Sequence, residues 1–467
     1  MATPETISIS LTSQGEYYTL SNRWVVRYDG NLRHPYTAYS IDRGTKYEIN
    51  EISFLILKIL ESNCLTIECL SDYLRSKGLS LKNEETANLI HSLIEGDIIV
   101  KSENQLRIDS ARYCGIPLKH SVPVTQTPFE AEIHLTRRCN LPCLHCAYNA
   151  GQILQGEIDT DLWLKIFDEL EFLNTYHIII SGGEPLLYPG AKDLLRHLTS
   201  KRMRIELLTN GTLMNNDIAV YLSNPNFSTT VSLDGADKET HDLLRGSGSF
   251  NNVIKGIKML SEAKALFHIS TTLHKRNMQQ MKEIVEKAIE LGAVSISFLF
   301  LDPVGRAKHQ RDLLLNSQDT KNILSTVQSL QEAYRNEINI NYLDPSKPEY
   351  KDIEVERNSK VFCNAGTTRM AIRSDGIIFP CVYGFHDNKY AIGSTKTQSI
   401  QEIWQQDNWL LFRGGIELQQ LHKCRDCSFL GSCTLKICRL RSYYNTGDFF
   451  GVPSGCYKNE ISEGERR

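Results

Sequence analysis

The sequence predicts an α/β protein in which a partial barrel of six parallel strands lies between a small N-terminal α+β unit and a cysteine-rich C-terminal region. Three observations support this prediction. From about residue 131 to residue 301, short β-like runs alternate with amphipathic helical segments. Before that region, several β-like runs precede several helical ones. After it, seven of the thirteen cysteines fall between Cys363 and Cys456.

Length, composition and charge exclude several classes of protein. A chain of 467 residues is long enough for two or three domains with separate cores. The formal net charge of -3 does not point to a nucleic-acid partner. The most apolar runs are far shorter than the ~20 residues that span a bilayer, and the N-terminus has no signal peptide. An odd number of cysteines at short spacings is typical of a reduced, metal-binding chain, so we expect a cytoplasmic protein without a membrane partner.

The N-terminal unit is predicted over residues 1–101 and has a winged-helix-like order. β-like runs cover residues 17–20, 24–27 and 37–41; amphipathic segments cover 52–60, 67–74 and 85–95; a last β-like run covers 97–101. Three prolines then predict a linker over residues 102–128.

The barrel is predicted over residues 129–306. Its strands are expected at residues 132–135, 177–181, 204–209, 229–233, 268–273 and 295–301, and its helices at 161–173, 191–200, 251–265 and 278–291. In such parallel sheets the chemistry takes place at the carboxyl ends of the strands. A bridging region is expected over residues 307–360 and a cysteine-rich domain over 361–467.

Three cysteines follow the first predicted strand in the pattern CxxxCxxC. Cys139, Cys143 and Cys146 supply three thiolates and no fourth. A structural zinc takes four protein ligands, and iron-sulfur clusters are usually held by four cysteines. The pattern therefore indicates a metal site with one open position. The alternative is zinc with His145 as the fourth ligand, which is disfavoured because His145 and Cys146 are adjacent.

Further motifs follow the next strands at the same edge of the predicted sheet: Gly182-Gly183-Glu184-Pro185 after the second, Asn210-Gly211 after the third and Asp234-Gly235 after the fourth. Together with the cysteines, the Gly-Gly-Glu-Pro motif resembles the radical S-adenosylmethionine (SAM) enzymes. The resemblance implies a 4Fe-4S cluster on the three cysteines whose fourth iron binds SAM, with a 5'-deoxyadenosyl radical as the reactive species.

The same resemblance implies which residues lie near SAM. They are Gly182, Gly183, Glu184, Asn210, Ser232, Asp234 and Arg245. Glycine lets the backbone approach the methionine moiety, Glu184 suits the SAM ammonium, and the guanidinium fork of Arg245 suits its carboxylate. The segment 302–307, which ends the sixth strand, resembles peptide-modifying members of the family, without assigned roles.

The C-terminal cysteines resemble the SPASM extension, which carries auxiliary 4Fe-4S clusters. The resemblance implies one complete cluster and a second with three cysteines; the first set is Cys424, Cys427, Cys433 and Cys456, and the second is Cys363, Cys381 and Cys438. The chain departs from the family pattern, because four residues rather than three separate Cys433 from Cys438. A noncysteine ligand or an open iron that takes a substrate thiolate would complete the second cluster. A zinc-ribbon-like structural module is the alternative.

The N-terminal unit resembles the RiPP recognition element, which binds the leader segment of ribosomally made, post-translationally modified peptides as an added strand. A DNA-binding winged helix is disfavoured, because residues 83–95 carry three glutamates and no lysine or arginine. A purely structural domain is the other alternative.

Taken together, the resemblances imply a radical SAM maturase that modifies a precursor peptide, with a thioether cross-link as the first choice of product and a carbon-carbon linkage as the alternative. The expected partners are the precursor peptide, whose leader binds the N-terminal domain, and an electron donor such as flavodoxin or ferredoxin. The alternatives are a sulfatase-type protein maturase, a tetrapyrrole side-chain enzyme, and a zinc-binding winged-helix regulator without enzymatic activity.

Overall fold

The structure is a computed structural model that describes residues 17–29, 35–62, 64–76, 83–102, 124–342, 360–361, 363–427, 438–453 and 456. Among these residues no helix is both long and apolar enough to cross a membrane.

The N-terminal unit has the predicted order of strands and helices. Its elements are β1 (Tyr17–Leu20), β2 (Trp24–Tyr28), β3 (Tyr36–Ser40), β4 (Lys46–Glu48), α1 (Glu51–Ser62), α2 (Ile67–Ser76), α3 (Asn83–Glu95) and β5 (Ile99–Ser102). β2, β3 and β4 form one antiparallel sheet, and β1 pairs with β5. The sequence did not predict β4, which has three residues and too little alternation to be seen.

A ten-stranded sheet organises the rest of the chain. Its strands are β6 (Glu130–His134), β7 (His177–Ser181), β8 (Arg204–Thr209), β9 (Phe227–Ser232), β10 (Phe267–Leu273), β11 (Ser295–Phe300), β12 (Asn339–Tyr342), β14 (Arg369–Ile372), β15 (Ile377–Phe379) and β16 (Gly393–Ser394). The order across the sheet is β12-β11-β10-β9-β8-β7-β6-β14-β15-β16. A separate short pair joins β13 (Lys360–Val361) to β17 (Ile416–Glu417). The six predicted parallel strands, β6 to β11, are therefore confirmed.

Ten α-helices of the described residues accompany this sheet, and most of them pack on one of its faces. They are α4 (Thr160–Phe172), α5 (Ala191–Leu198), α6 (Asn216–Leu222), α7 (Lys238–Arg245), α8 (Ser249–Glu262), α9 (Met281–Glu290), α10 (Ser317–Ala333), α11 (Ile400–Trp404), α12 (Leu410–Arg413) and α13 (Arg439–Thr446). In β10, buried Phe267, Ile269 and Leu273 belong to the core that includes helix residues, while His268 and Ser270 lie on the other, partly exposed face. The interior of the barrel is thus more polar than the layer under the helices.

Four strands extend the sheet beyond the prediction, and two of them, β12 and β14, run parallel to the barrel strands. β12 arises in the predicted bridging region, where Ile338 and Ile340 are buried, and it adds a seventh parallel strand beside β11. β14 comes from the cysteine-rich region and pairs in parallel with β6, Met370 opposite Ala131. The C-terminal region therefore continues the barrel sheet instead of forming a detached layer.

The end of the predicted linker is also packed into the core. The Thr125 amide donates to Thr367 O at 2.9 Å, and Trp404 Nε1 donates to Thr125 O at 3.0 Å. Residues 103–123 of that linker, and residues 343–359 of the predicted bridge, lie outside the described residues.

The N-terminal unit docks at the amino ends of β6, β7 and β8. Tyr39 packs its ring against Phe129 and Tyr176, with ring centres 4.9 Å away in both cases. Buried Arg27 pairs with Asp29 through two 3.1 Å hydrogen bonds and donates to Asn174 O at 2.5 Å. Since parallel strands share one direction, this contact lies at the end of the sheet opposite the predicted cysteine motif.

Candidate functional site

The cysteine loop, residues 135–151 between β6 and α4, lies directly against the Gly-Gly-Glu motif. The Gly183 amide donates to Thr136 O at 2.7 Å, and the Glu184 amide donates to Arg138 O at 2.8 Å. A Cβ atom on Gly183 would lie 2.0 Å from Arg138 O. Glycine is needed here because the chain's own cysteine loop approaches so closely. The approach of the glycine backbone to the methionine moiety of SAM stays a prediction.

Glu184 is fully buried and accepts three hydrogen bonds from its own chain. Its Oε1 accepts from Thr209 Oγ1 at 2.8 Å and from the Leu186 amide at 3.1 Å, while its Oε2 accepts from the Asn210 amide at 2.8 Å. Burial raises the pKa of this carboxyl, although the hydrogen bonds oppose that shift. Glu184 therefore ties the loops after β7 and β8 together, a role that the sequence argument missed. Its contact with a SAM ammonium stays a prediction.

Asn210 connects the loop after β8 to the cysteine loop. Its Nδ2 donates to Asn140 Oδ1 at 2.9 Å, and Asn140 Nδ2 donates to Thr212 Oγ1 at 2.8 Å. The residue that the sequence placed near SAM thus contacts the loop that carries the cysteines.

Asp234 and Arg245 form a buried ion pair beside the cysteine loop. Arg245 Nε donates to Asp234 Oδ2 at 2.5 Å, and the Thr272 amide donates to Oδ1 at 2.7 Å. Burial opposes ionisation of Asp234, but Arg245 and neighbouring groups outweigh it and lower its pKa to about 2. Arg245 is thus already committed to a carboxylate of its own chain. Ser232 lies partly exposed at the end of β9 on the polar face of the sheet.

His145 faces this ion pair. Its Nε2 lies 3.8 Å from Asp234 Oδ2 and 3.5 Å from Arg245 Nη2. Burial lowers the pKa of His145 to about 3, so the ring is neutral near pH 7. Among the described residues, no three His, Cys, Asp or Glu side chains converge tightly enough to hold one metal ion.

The three thiols of the cysteine loop are the predicted ligands of an iron-sulfur cluster, whose separate iron atoms need no convergence of the thiols on one point. Cys143 is buried, and its Sγ lies 4.0 Å from Arg245 O. Cys139 and Cys146 are partly buried. Burial raises the pKa of Cys139 to about 11, and the charges of Cys143 and Glu184 add to this shift. Buried thiols that repel one another as thiolates become stable when a cationic iron group binds them. The donor set on this loop is therefore suited to such a group.

A second set of thiols lines one cavity in the C-terminal region, the auxiliary cysteine site. Cys363, Cys381 and Cys438 surround it together with Phe412 and Leu440. Burial raises the pKa of Cys438 to about 12, with Cys363 as the next cause. Cys438 is thus brought to the other two cysteines despite its unusual spacing. No further cysteine of the described residues lines this cavity.

The remaining predicted ligands are only partly placed. Cys424 packs in an apolar cluster with Ile416 and Leu421, and the Cys427 amide donates to Cys424 O at 3.0 Å. Cys456 is partly buried, and Cys433 lies outside the described residues. Whether these four converge stays a prediction.

An aromatic side chain of the cysteine loop, Tyr148, packs against rings of the barrel and of the C-terminal region. Tyr148 packs edge-on against His134, with ring centres 4.6 Å apart. Burial raises the pKa of Tyr148 well above 10, and the charges of both Cys146 and Cys381 add to this shift. The Tyr148 ring also stacks on that of His386, with ring centres 5.9 Å apart, a contact between distant segments that no local sequence pattern could indicate.

Comparison with known proteins identifies the same two regions. A radical SAM superfamily model matches residues 133–288, and a SPASM iron-sulfur cluster-binding domain model matches residues 363–428. The AdoMet-dependent heme synthase of Methanosarcina barkeri is 31% identical over 72% of this chain and 98% of its own length. The mycofactocin maturase MftC of Mycobacterium tuberculosis is 28% identical over 64% of this chain and 75% of its own length.

A solved structure extends the likeness to the fold of nearly the whole chain. Streptococcus suis SuiB, in complex with its precursor peptide SuiA, covers 94% of this chain and 99% of its own with a TM-score of 0.69 and 16% identity. Both family models match in the predicted order, and one relative is aligned over almost its full length. The chain therefore belongs to the radical SAM superfamily, as an enzyme that uses SAM and a 4Fe-4S cluster and carries a SPASM domain for auxiliary iron-sulfur clusters.

Proposed function

We propose that this enzyme modifies a ribosomally made precursor peptide and forms a thioether cross-link in it. The observation that carries the proposal is the docked N-terminal unit. The heme synthase match covers 98% of that relative but only 72% of this chain, so about 28% of the chain (100% minus 72%) has no counterpart there. The SuiB fold, in contrast, covers 94% of the chain. The N-terminal unit lies before both matched family models.

In this proposal the cysteine loop holds the SAM-binding cluster through Cys139, Cys143 and Cys146. Bound there, the cluster and SAM supply a 5'-deoxyadenosyl radical that removes a hydrogen atom from the substrate. The protein positions them with the residues gathered at the strand ends. These are Gly182, Gly183, Glu184, Asn210, Ser232, Asp234 and Arg245. Glu184 and Asn210 hold the loops, and Asp234 orients Arg245.

The auxiliary cysteine site supports the choice of a thioether. Its three thiols would hold a cluster without a fourth cysteine, which would leave a position for the sulfur of a substrate cysteine. Making the carbon-sulfur bond breaks one C–H and one S–H bond. The hydrogen atom would pass to the 5'-deoxyadenosyl group and the proton to solvent, and a cluster held by the auxiliary cysteines would accept the remaining electron. Cys424, Cys427, Cys433 and Cys456 hold the other auxiliary cluster.

The proposed partners follow from the same arrangement. The N-terminal unit binds the leader of the precursor peptide, and flavodoxin or ferredoxin supplies electrons. We place these reactions in the cytoplasm, where thiols stay reduced. Because buried contacts fix the N-terminal unit to the barrel, the leader is held at a constant distance from the site where the core peptide reacts.

A peptide assay tests this proposal. The full-length enzyme, purified without oxygen, is incubated with SAM, a reductant and a short cysteine-containing peptide encoded beside its gene. We expect the peptide to lose two hydrogen atoms and one alkylatable thiol by mass spectrometry. The same peptide without its leader serves as the control and should react at least about tenfold more slowly. Equal turnover of both peptides would refute the leader-binding role.

One observation favours a second candidate, the oxidation of a tetrapyrrole side chain. It is the 31% identity to the heme synthase over nearly all of that relative. A porphyrin substrate that is turned over while every candidate peptide stays unmodified would select this candidate.

A further inference from the structure

We propose that residues 302–306, the spacer segment, set the position of the auxiliary cysteine site relative to the cysteine loop. Asp302 and Arg306 act as its positioning residues, one at each end. The inference rests on the proposed iron-sulfur sites but not on the identity of the substrate. The sequence analysis had singled out this segment without assigning a role to any of its residues.

Arg306 fastens the spacer segment to the cysteine loop. Its amide donates to Cys146 O at 2.9 Å, its Nε donates to Cys143 O at 2.7 Å, and its Nη1 donates to Ala150 O at 2.6 Å. The three bonds span the part of the loop that carries two of the three cysteines. The fork of a guanidinium group can hold several carbonyl groups at once, which a lysine cannot.

Gly305 brings the two backbones into contact. Its φ angle is +58°, and a Cβ atom would lie 2.2 Å from Ala147 O and 2.4 Å from Cys146 O. Only glycine tolerates both the left-handed conformation and this approach. The spacer segment is therefore built against the cysteine loop at this position.

Asp302 fastens the other end of the spacer segment to the C-terminal domain. Its Oδ2 accepts from Tyr383 OH at 2.5 Å, and its Oδ1 accepts from Arg441 Nε at 2.9 Å and Nη2 at 2.5 Å. Tyr383 follows Cys381 by two residues, and Arg441 follows Cys438 by three. One carboxylate thus holds the chain next to two of the three auxiliary cysteines.

The two attachments lie only four residues apart. Between them, Pro303 has a fixed φ angle, and Val304 is buried. Because Asp302 and Arg306 are joined by so short and constrained a backbone, a shift of one site relative to the other must break bonds at one end. A misplacement of about 1 Å between reacting groups can cost about a hundredfold in rate. The spacer segment therefore fixes how far a substrate atom at one site lies from the other.

Hydrogen exchange of the full-length chain before cluster reconstitution tests the two attachments separately. Asp302→Asn keeps the size of the side chain but removes its charge, and Arg306→Lys keeps the charge but removes the fork. The matched controls are Asp312→Asn and Arg311→Lys, on exposed side chains of the same region. We expect D302N to speed exchange in residues 382–386 and 439–446, and R306K in residues 143–150, each by at least about tenfold.

Two outcomes would overturn the inference. Exchange in D302N and R306K that stays within about twofold of the controls would show that the attachments carry no local stability. Acceleration over the whole chain would show a general loss of stability instead of separate attachments.

A second measurement uses the reconstituted enzyme. The EPR spectrum of the reduced auxiliary clusters should change in D302N and not in D312N, and Asp302→Glu should restore it in part because the carboxylate is kept. With peptide, D302N should give at least about tenfold less product per 5'-deoxyadenosine formed. An unchanged spectrum and ratio in D302N would refute the role of Asp302. If the wild-type enzyme modifies no peptide, the proposed function fails, while hydrogen exchange still decides this inference.

Discussion

Glu184 stabilises the site before any cofactor binds, because it accepts three hydrogen bonds from two loops. Glu184→Gln replaces one of the two carboxylate oxygens by an NH2 group. That group cannot accept a hydrogen bond from the Thr209 hydroxyl or from the Leu186 and Asn210 amides. We expect the free energy of unfolding of the protein without SAM to fall by about 1–3 kcal/mol. Chemical denaturation measures this, with Glu262→Gln on an exposed helix position as the control. Unchanged stability together with weaker SAM binding would instead favour a direct contact with the SAM ammonium.

At position 183 the close packing against the cysteine loop leaves no room for even one methyl group. Gly183→Ala would place a carbon 2.0 Å from Arg138 O, so the cysteine loop must move. We expect a loss of stability of about 1–3 kcal/mol and a loss of iron from the cysteine loop but not from the auxiliary sites. Iron analysis and the melting temperature measure both effects. Gly96→Ala is the matched control, since its Cβ would meet neighbours at an ordinary 3.6 Å. Equal iron content in the two variants would contradict the steric argument.

At the scale of elements, a charged histidine joins three neighbouring strands. His177 of β7 places Nδ1 3.0 Å from Glu130 Oε2 of β6 and Nε2 3.6 Å from Glu206 Oε2 of β8. Burial opposes its protonation, but the two carboxylates outweigh burial and raise its pKa to about 9. Protonated His177 is therefore the stable form in the folded protein at neutral pH.

Because the pKa of His177 is higher in the folded protein than in the unfolded chain, its protonation stabilises the fold. This contribution is complete at pH values below about 6.5, the pKa in the unfolded chain, and it is lost as the pH rises through about 9, the pKa in the folded protein. We expect the free energy of unfolding to fall between pH 6.5 and 9 by at most about 3 kcal/mol for this reason. His177→Gln should remove this part of the pH dependence, as measured by urea denaturation at several pH values. The same slope in both proteins would show that His177 does not cause it.

The sequence predicted those strands and helices that local residues define, and it missed strands that depend on partners far away in the sequence. β7 and β8 have the predicted bounds, because their own alternation of buried and partly exposed residues marks them. β12 and β14 were missed because they are short, and their places beside β11 and β6 depend on partners far away in the sequence. The local alternation of apolar and polar residues shows that a segment can form a strand. It does not show which other strand a short strand pairs with.

The site shows the same division. Cys363, Cys381 and Cys438 line one cavity, the auxiliary cysteine site, while the roles of these cysteines and of those in the cysteine loop as ligands stay predictions. The partners that hold them were not foreseen, since Asp302 meets Arg441 across 139 residues of sequence. Glu184 and Arg245 were predicted to face SAM, yet both already have partners in their own chain. Spacing identifies the ligands of a metal group but not the residues that position them.

At the scale of the whole molecule, the N-terminal unit is fixed to the barrel by a buried charge. Arg27→Met would leave Asp29 buried without its ion-pair partner. We expect a loss of about 3–5 kcal/mol and faster proteolysis between the unit and the barrel. Arg43→Met, which breaks only an exposed pair with Asp97, should cost at most about 1 kcal/mol. Similar losses in the two variants would contradict a buried, rigid interface.

The pairing of β14 with β6 also has a consequence for biosynthesis. Glu130 lies opposite Arg369, so the edge of the first barrel strand stays uncovered until the ribosome has made 239 further residues. Contacts of such high sequence separation form slowly, and an uncovered strand edge invites association with other chains. The nascent protein therefore depends on its C-terminal region to cover this edge of the sheet.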